Sequence, residues 1–233
     1  MNRLHSTIMI FITIIALPSP AQVQAEESSN PKASLQREKT LAPIDEANQN
    51  PDFRAFRDSL LAAVERKDLD FLLDHMDDQV RVNFGADHGK GDFIKFWKLN
   101  ERPEESRLWY ELKKVLRLGG AFSDEEKTSF TAPYLYTSFP KSFDEFLYAA
   151  IIDSVVYLRE EPDSNSAVLD TLRYAVVKKA SEFWTRYSWT RIETLSGIKG
   201  YIESRNIRSP LDFRARFVKI NGKWKMTFFV AGD

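Results

Sequence analysis

The sequence predicts an α+β protein in which a small β-barrel is combined with a helix-plus-antiparallel-sheet domain. Three stretches carry that prediction. After Asn50, the apolar residues Phe53, Phe56, Leu60, Leu61 and Val64 recur at three- and four-residue spacing, which places them on one helical face. Between residues 148 and 206, short alternating apolar runs and turn residues follow one another closely, as in a small barrel. The chain closes on RARFVKINGKWKMTFFVAGD, two alternating runs around Asn221-Gly222, a strong hairpin signal. An isolated hairpin is marginal in water, so this one has to complete a sheet.

The length of 233 residues suits one large or two small domains. A net charge of -1 offers no electrostatic case for a nucleic-acid partner. With no cysteine, the fold needs a core that holds without disulfides. The N-terminus runs from Arg3 through an apolar stretch, residues 7–17, to Pro18, Pro20 and the small-residue site Val23-Gln24-Ala25. That is the layout of a secretory signal peptide over residues 1–25, cleaved after Ala25, with Ala21 as the alternative. The apolar stretch is shorter than the roughly 20 residues a bilayer needs, so no transmembrane segment is expected in the mature chain. The expected location is secreted or periplasmic. Residues 26–49 are polar and punctuated by proline, and they read as a flexible linker.

Residues 50–147 read as the helical front part of the α+β domain. Asn50 is placed to cap a helix with Pro51 at its first position. Asp68 restarts a shorter helix carrying Phe71, Leu72 and Leu73. Val80, Val82 and Phe84 alternate with Arg81 and Asn83, a half-buried strand. DFIKFWKL reads as a short helix with Phe93, Phe96 and Trp97 inward. A longer helix is expected over residues 104–118, ended by Gly119-Gly120. In the aromatic run that follows, Ala132-Pro133 disfavours helix. One strand cannot make a sheet, so the hairpin of residues 207–233 is expected to return to this front part. Its apolar face would hold Phe213, Ala215 and Phe217, then Trp224, Met226, Phe228 and Val230. Arg205, Arg208, Arg214 and Arg216 read as a solvated sheet face.

In the middle, Val156 and Leu158 alternate with Tyr157 and Arg159, and Pro162 bars the next stretch from a central strand. The order Leu158-Arg159, Pro162 with Ser164, Val168-Leu169, Val176-Val177, Trp189 to Ile192, Gly197 and Gly200-Tyr201-Ile202 resembles a bacterial SH3-like (SH3b) domain over roughly residues 148–206. The chain departs from that pattern at Asp170 and Tyr174, where a glycine is usual, and in a longer KKASEFWTRYSW segment. The resemblance implies binding of cell-wall peptide, other peptide or a neighbouring domain, without catalysis. The groove would use Tyr157, Trp189 and Tyr201, with Glu160, Glu161 and Asp163 as flanking carboxylates suited to Pro-rich or amine-bearing chains.

The flanking segments, FRDSLLAAVERKDLDFLLDHMDDQVRVNFG and RARFVKINGKWKMTFFVAG, resemble the NTF2-like fold in element order. That resemblance implies a host domain split by the barrel. The alternative is two consecutive domains, with the hairpin extending the barrel. NTF2-like hosts support apolar pockets, for which Trp97, Tyr110 and Trp224 are candidate lining residues.

Chemistry-bearing motifs are sparse. GADHGKGD lacks both the spacing and the Ser or Thr of a phosphate loop, and it reads as a solvated loop with Gly91-Asp92 at a helix start. There is no Cys, no G-x-S-x-G and no H-E-x-x-H, and only His75 and His88 remain after signal removal. No catalytic residue, metal ligand or cofactor is expected. The expectation is an exported non-enzymatic binding protein of the cell envelope whose barrel holds peptide or peptidoglycan. One alternative is an NTF2-like small-molecule or enzymatic pocket with the barrel as docking module. Another is a structural subunit partnering an envelope protein.

Overall fold

The computed structural model describes residues 40–180 and 188–232. The expected signal peptide, the first part of the expected linker and most of the long segment before Trp189 lie outside these residues. The described residues form an α+β structure with two sheets. Its elements in chain order are α1 (Pro51–Arg66), α2 (Leu69–Asp74), β1 (Met76–Arg81), α3 (Gly89–Phe96), α4 (Leu108–Arg117), β2 (Ala121–Phe122), β3 (Ser129–Ala132) and α5 (Tyr134–Ser138). They continue with β4 (Tyr148–Ile151), β5 (Val156–Arg159), β6 (Val168–Leu172), β7 (Val176–Lys179), β8 (Trp189–Glu193), β9 (Lys199–Glu203), β10 (Ile207–Arg208), β11 (Arg214–Ile220) and β12 (Lys223–Val230).

Local chemistry sets the helix starts. The Asn50 side chain accepts from the Phe53 amide at 3.1 Å and donates to the Lys127 carbonyl at 2.9 Å. Asp68 accepts from the Phe71 amide at 3.0 Å and so starts α2. Helix α4 begins at Leu108, later than expected, because Pro103–Glu105 forms a separate 3₁₀ turn.

The first sheet has the strand order β1-β12-β11-β3-β2. Strand β1 lies parallel to β12, and the other pairs are antiparallel. The C-terminal hairpin therefore sits in the middle of a sheet whose edge strands come from the front of the chain. Asn221 and Gly222 turn at φ 49° and 78°, the left-handed pair that a two-residue hairpin requires. Strands β2 and β3 have no counterpart in the sequence reading. The helices cover the apolar face, and Phe53 is the hub of its core. Its ring centroid lies 4.2 Å from Phe130, 4.7 Å from Trp224 and 5.9 Å from Phe217.

A bulge changes the expected alternation in β12. Phe217 pairs with Met226, but Arg216 pairs with Phe228, so Thr227 is the extra residue. The phase slips there. Phe229 is fully buried instead of Phe228, which takes the opposite side against Arg216, 4.9 Å from its guanidinium. Two other aromatics also depart from expectation. Phe84 lies beyond the end of β1 and is 46% exposed, and Phe96 is 49% exposed at the end of α3.

The second sheet has the order β10-β4-β7-β8-β9-β5-β6, with all neighbours antiparallel. Val156, Leu158, Leu172, Val177, Ile192, Ile202 and Ile207 form its core. Gly200 is required by close approach: a Cβ there would stand 2.5 Å from the Arg159 carbonyl oxygen. Val168 is exposed on β6, which is an edge strand.

A third apolar cluster joins the sheets. Helix α5 starts directly after Pro133, and its Tyr134 and Leu135 pack with Phe139, Ala150, Val176 and Leu41. Leu41 belongs to the expected linker, and that expectation is corrected over residues 40–49. Thr40 bridges Ala175, and the Leu41 amide donates to the Tyr174 carbonyl at 2.6 Å. Asp45 bridges Gly120, and a Glu46 carboxylate oxygen accepts from the Phe122 amide at 2.9 Å. The segment is a strap fixed to the second sheet at one end and the first at the other. Its polar composition conceals two apolar anchors, Leu41 and Ala47, both buried.

The arginine face is corrected as well. Arg205 is exposed and pairs with Glu203, but Arg208 and Arg214 are buried. Arg214 donates to the carbonyls of Gly232 and Leu211, and its guanidinium lies 4.6 Å from the Tyr136 ring centre and 5.0 Å from that of Phe84. Alternation turns Arg214 away from the first core, and Tyr136 of α5 covers it, while Arg208 on β10 donates to the Phe213 carbonyl at 2.7 Å.

Candidate functional site

The strongest candidate site is a groove on the outer face of the second sheet. Alternation builds it. In β5, Val156 and Leu158 point into the core, so Tyr157 and Arg159 point out. In β8, Thr190 and Ile192 are buried, which turns Trp189 and Arg191 outward. In β9, Gly200 and Ile202 are buried and Tyr201 and Glu203 face out. Cross-strand register then sets Trp189 opposite Glu203, and Tyr201 opposite both Arg191 and Arg159.

Tyr157 and Trp189 line one cavity of about 460 Å³ with Arg159, Glu203, Arg205 and Asp153. Tyr157 is 50% exposed and Trp189 is half-buried. The Arg159 guanidinium lies 5.6 Å from the Tyr157 ring centre and donates to the Ser166 carbonyl at 2.6 Å, which ties the β5–β6 loop to the groove. Arg205 donates to Glu203 at 2.7 Å on the far rim. The arrangement offers two ring faces, two guanidinium groups and two carboxylates within one concavity. It suits a peptide carrying both charged and apolar groups.

Not every expected groove residue is there. Tyr201 shares the outward face, with Arg191 6.0 Å from its ring centre, but it does not line the cavity. Glu160 and Asp163 sit in the exposed β5–β6 loop and do not line it either. Asp163 instead accepts from the Asn165 amide at 2.9 Å, a local turn. The carboxylates of the groove are Asp153 and Glu203, which sequence reading missed. Glu203 had a usable signal, because it stands two residues from Tyr201 on one strand.

The expected pocket residues do not converge on one cavity. Trp224 is core, packed on Phe53. Trp97 is also buried in that core, 5.4 Å from Phe229, yet it lines a cavity of about 620 Å³. Tyr110 is 62% exposed on α4 and lines a different cavity, of about 570 Å³.

The GADHGKGD loop closes on itself. His88 Nδ1 lies 2.7 Å from the Ala86 carbonyl, and the Asp92 carboxylate accepts from the His88 amide at 3.1 Å. Asp92 thus caps α3 from inside its first turn. Among the described residues, no three His, Cys, Asp or Glu side chains gather as a metal site. No described helix is long and apolar enough to cross a membrane. Compared with known protein families and with curated protein sequences, the chain matches none.

Proposed function

We propose that this chain is an exported, non-enzymatic binding protein of the cell envelope, and that its second sheet is an SH3-like barrel set within an NTF2-like host. In this reading the groove between Tyr157 and Trp189 holds the peptide part of peptidoglycan or another envelope peptide. The observation that carries the reading is the pair of outward aromatic rings flanking β9 in one cavity with Arg159, Arg205, Asp153 and Glu203. Rings beside carboxylates accept amine-bearing side chains, and the guanidinium groups accept carboxylates; cell-wall peptides offer both. The SH3b-like order of Leu158-Arg159, Pro162, Trp189 and Gly200-Tyr201-Ile202 supports the barrel, and the sheet order β1-β12-β11-β3-β2 beneath helices supports the host. The signal-peptide layout around Arg3, residues 7–17 and Ala25 supports export.

The test is co-sedimentation of the purified mature protein with isolated cell-wall sacculi. Binding is expected, with Trp189→Ala and Tyr157→Ala each weakening it about tenfold while leaving the thermal melt in place. Failure to sediment, or unchanged sedimentation of both variants, overturns the reading. Stable co-purification with one envelope protein, lost in the same variants, redirects the groove to that partner.

A further inference from the structure

The groove of Tyr157 and Trp189 does not end at its rim. Glu203 and Arg205 line both that cavity and the one of about 570 Å³ beside Tyr110. The partition between the two is the end of the β8–β9 ladder. Trp189 stands opposite Glu203, and next to that pair the Ser204 amide donates to the Ser188 carbonyl at 2.9 Å. Trp189 lines the first cavity, and Ser188 and Ser204 line the second. Helix α4 supplies the far wall of the second cavity. Its cap Arg107, then Tyr110, Glu111 and Lys114, recur at three- and four-residue spacing, while Leu108, Leu112 and Val115 turn into the first core. One concavity thus runs from the outer face of the second sheet onto a helix that covers the first.

Rings and ion pairs follow one another along it. Tyr110 is 62% exposed, and Lys114 Nζ lies 5.1 Å from its ring centre. Exposed aromatic side chains in a concavity are the anchors that protein interfaces use. Between Tyr110 and the first two rings lie the ion pairs Arg205–Glu203 and Arg107–Glu111, at 2.7 and 3.1 Å. Each cavity is lined by as many carboxylates as cations, so neither presents a net positive field to a polyanion. Tyr157 and Trp189 stand on the strands either side of β9, about 10 Å apart. The α4 stripe from Arg107 to Lys114 adds about 10 Å more. A chain extended at about 3.3 Å per residue needs roughly six residues to meet both parts.

We propose that one extended polypeptide segment of another protein occupies both cavities, crossing the Glu203–Arg205 pair with one side chain between Tyr157 and Trp189 and another on Tyr110. The proposal rests on the groove being a peptide site, and it narrows the partner to a chain long enough to reach α4. A polypeptide brings apolar side chains to the rings and groups of both signs to the ion pairs. A polyanion meets carboxylates as often as cations. A neutral glycan can stack on the rings but brings no charge to exchange with the ion pairs. A small molecule fills one cavity and leaves the other open. Tyr110 is then a binding residue that the second sheet does not itself contain.

Peptides of about twelve residues, selected from a random display library on the purified mature protein, test this. Each is shortened stepwise and measured by fluorescence anisotropy. Shortening to about four residues is expected to cost at least tenfold in affinity. Tyr110→Ala, at an exposed position that keeps the thermal melt, is expected to cost the full-length peptide at least tenfold and the shortest Trp189-dependent fragment nothing. Tyr110→Phe is expected to keep full affinity, and Trp189→Ala to weaken both lengths. Peptides that need Trp189 but bind Tyr110→Ala at full affinity overturn the proposal and leave the groove reading in place. Peptides indifferent to both variants, or no peptide selected, overturn both. Glycan strands freed of peptide that bind through Tyr110 in place of the peptides overturn the polypeptide partner.

Discussion

Ending the chain after Arg208 removes β11 and β12, and with them the two strands that hold the first sheet together. The hairpin contributes Ala215, Phe217, Trp224, Met226, Phe229 and Val230 to the buried core. At about 1.5–3 kcal/mol for each large apolar side chain, their loss costs on the order of 10 kcal/mol. That is comparable to the roughly 5–15 kcal/mol by which a whole domain is stable. Strand β1 would keep no strand partner, since its ladder is made to β12 alone. The core of the second sheet, by contrast, contains no residue beyond Ile207. Hydrogen exchange read by mass spectrometry on the truncated protein separates the two. Amides of α1, β1 and α4 are expected to exchange at unfolded rates while those of β5, β8 and β9 stay protected. Protection retained across β1 and α4 would refute the argument that the hairpin closes the front domain.

Three further outcomes follow from single sites. Leu41→Ala is expected to cost about 2–5 kcal/mol in urea denaturation, because Leu41 is buried where the sheets join; a cost below 0.5 kcal/mol, on the order seen at surface positions, would make the strap dispensable. Gly200→Val is expected to lower stability by about 1–3 kcal/mol, since its new atoms meet the Arg159 carbonyl, and a thermal melt reads it directly. Burial acts to raise the Asp124 pKa, but hydrogen bonds from Thr128 and Ser129 outweigh it and hold the carboxyl below its ordinary 3.8. Its stabilisation is therefore complete above pH 3.8 and lost as pH falls through the lower folded value. Carboxyl NMR should show Asp124 titrating below that ordinary value, and Asp124→Asn should remove its share of the acid dependence.

Helical spacing around Phe53 and Leu60, the Asn50 and Asp68 caps and the Asn221-Gly222 turn were legible because each depends on residues within a few positions of one another. The outward pair of Tyr157 and Trp189 was legible for the same reason: alternation is local. What escaped depends on distant chain. Strand β2 is two residues long and exists because β3 offers it a ladder. The bulge at Thr227 is a property of pairing with β11, and it exchanges the roles of Phe228 and Phe229. Arg208 and Arg214 read as solvent-facing because their own strands turn them from one core; the neighbouring unit covers that other side. The groove carboxylates were misplaced because loop proximity in sequence, at Glu160 and Asp163, was given more weight than strand register, at Glu203.

The parallel pairing of β1 with β12 has a consequence for the order in which the protein can come into being. Met226 is made long after its partner Met76, with the whole second sheet between them. During synthesis the second sheet has all its strands once Arg208 has emerged, while the helices in front of it still lack the sheet they cover. The helices must therefore wait, with Phe53, Trp109 and their neighbours unburied, until the β11–β12 hairpin arrives. Whatever guards those side chains in the interval governs the yield of folded protein as much as the finished contacts do.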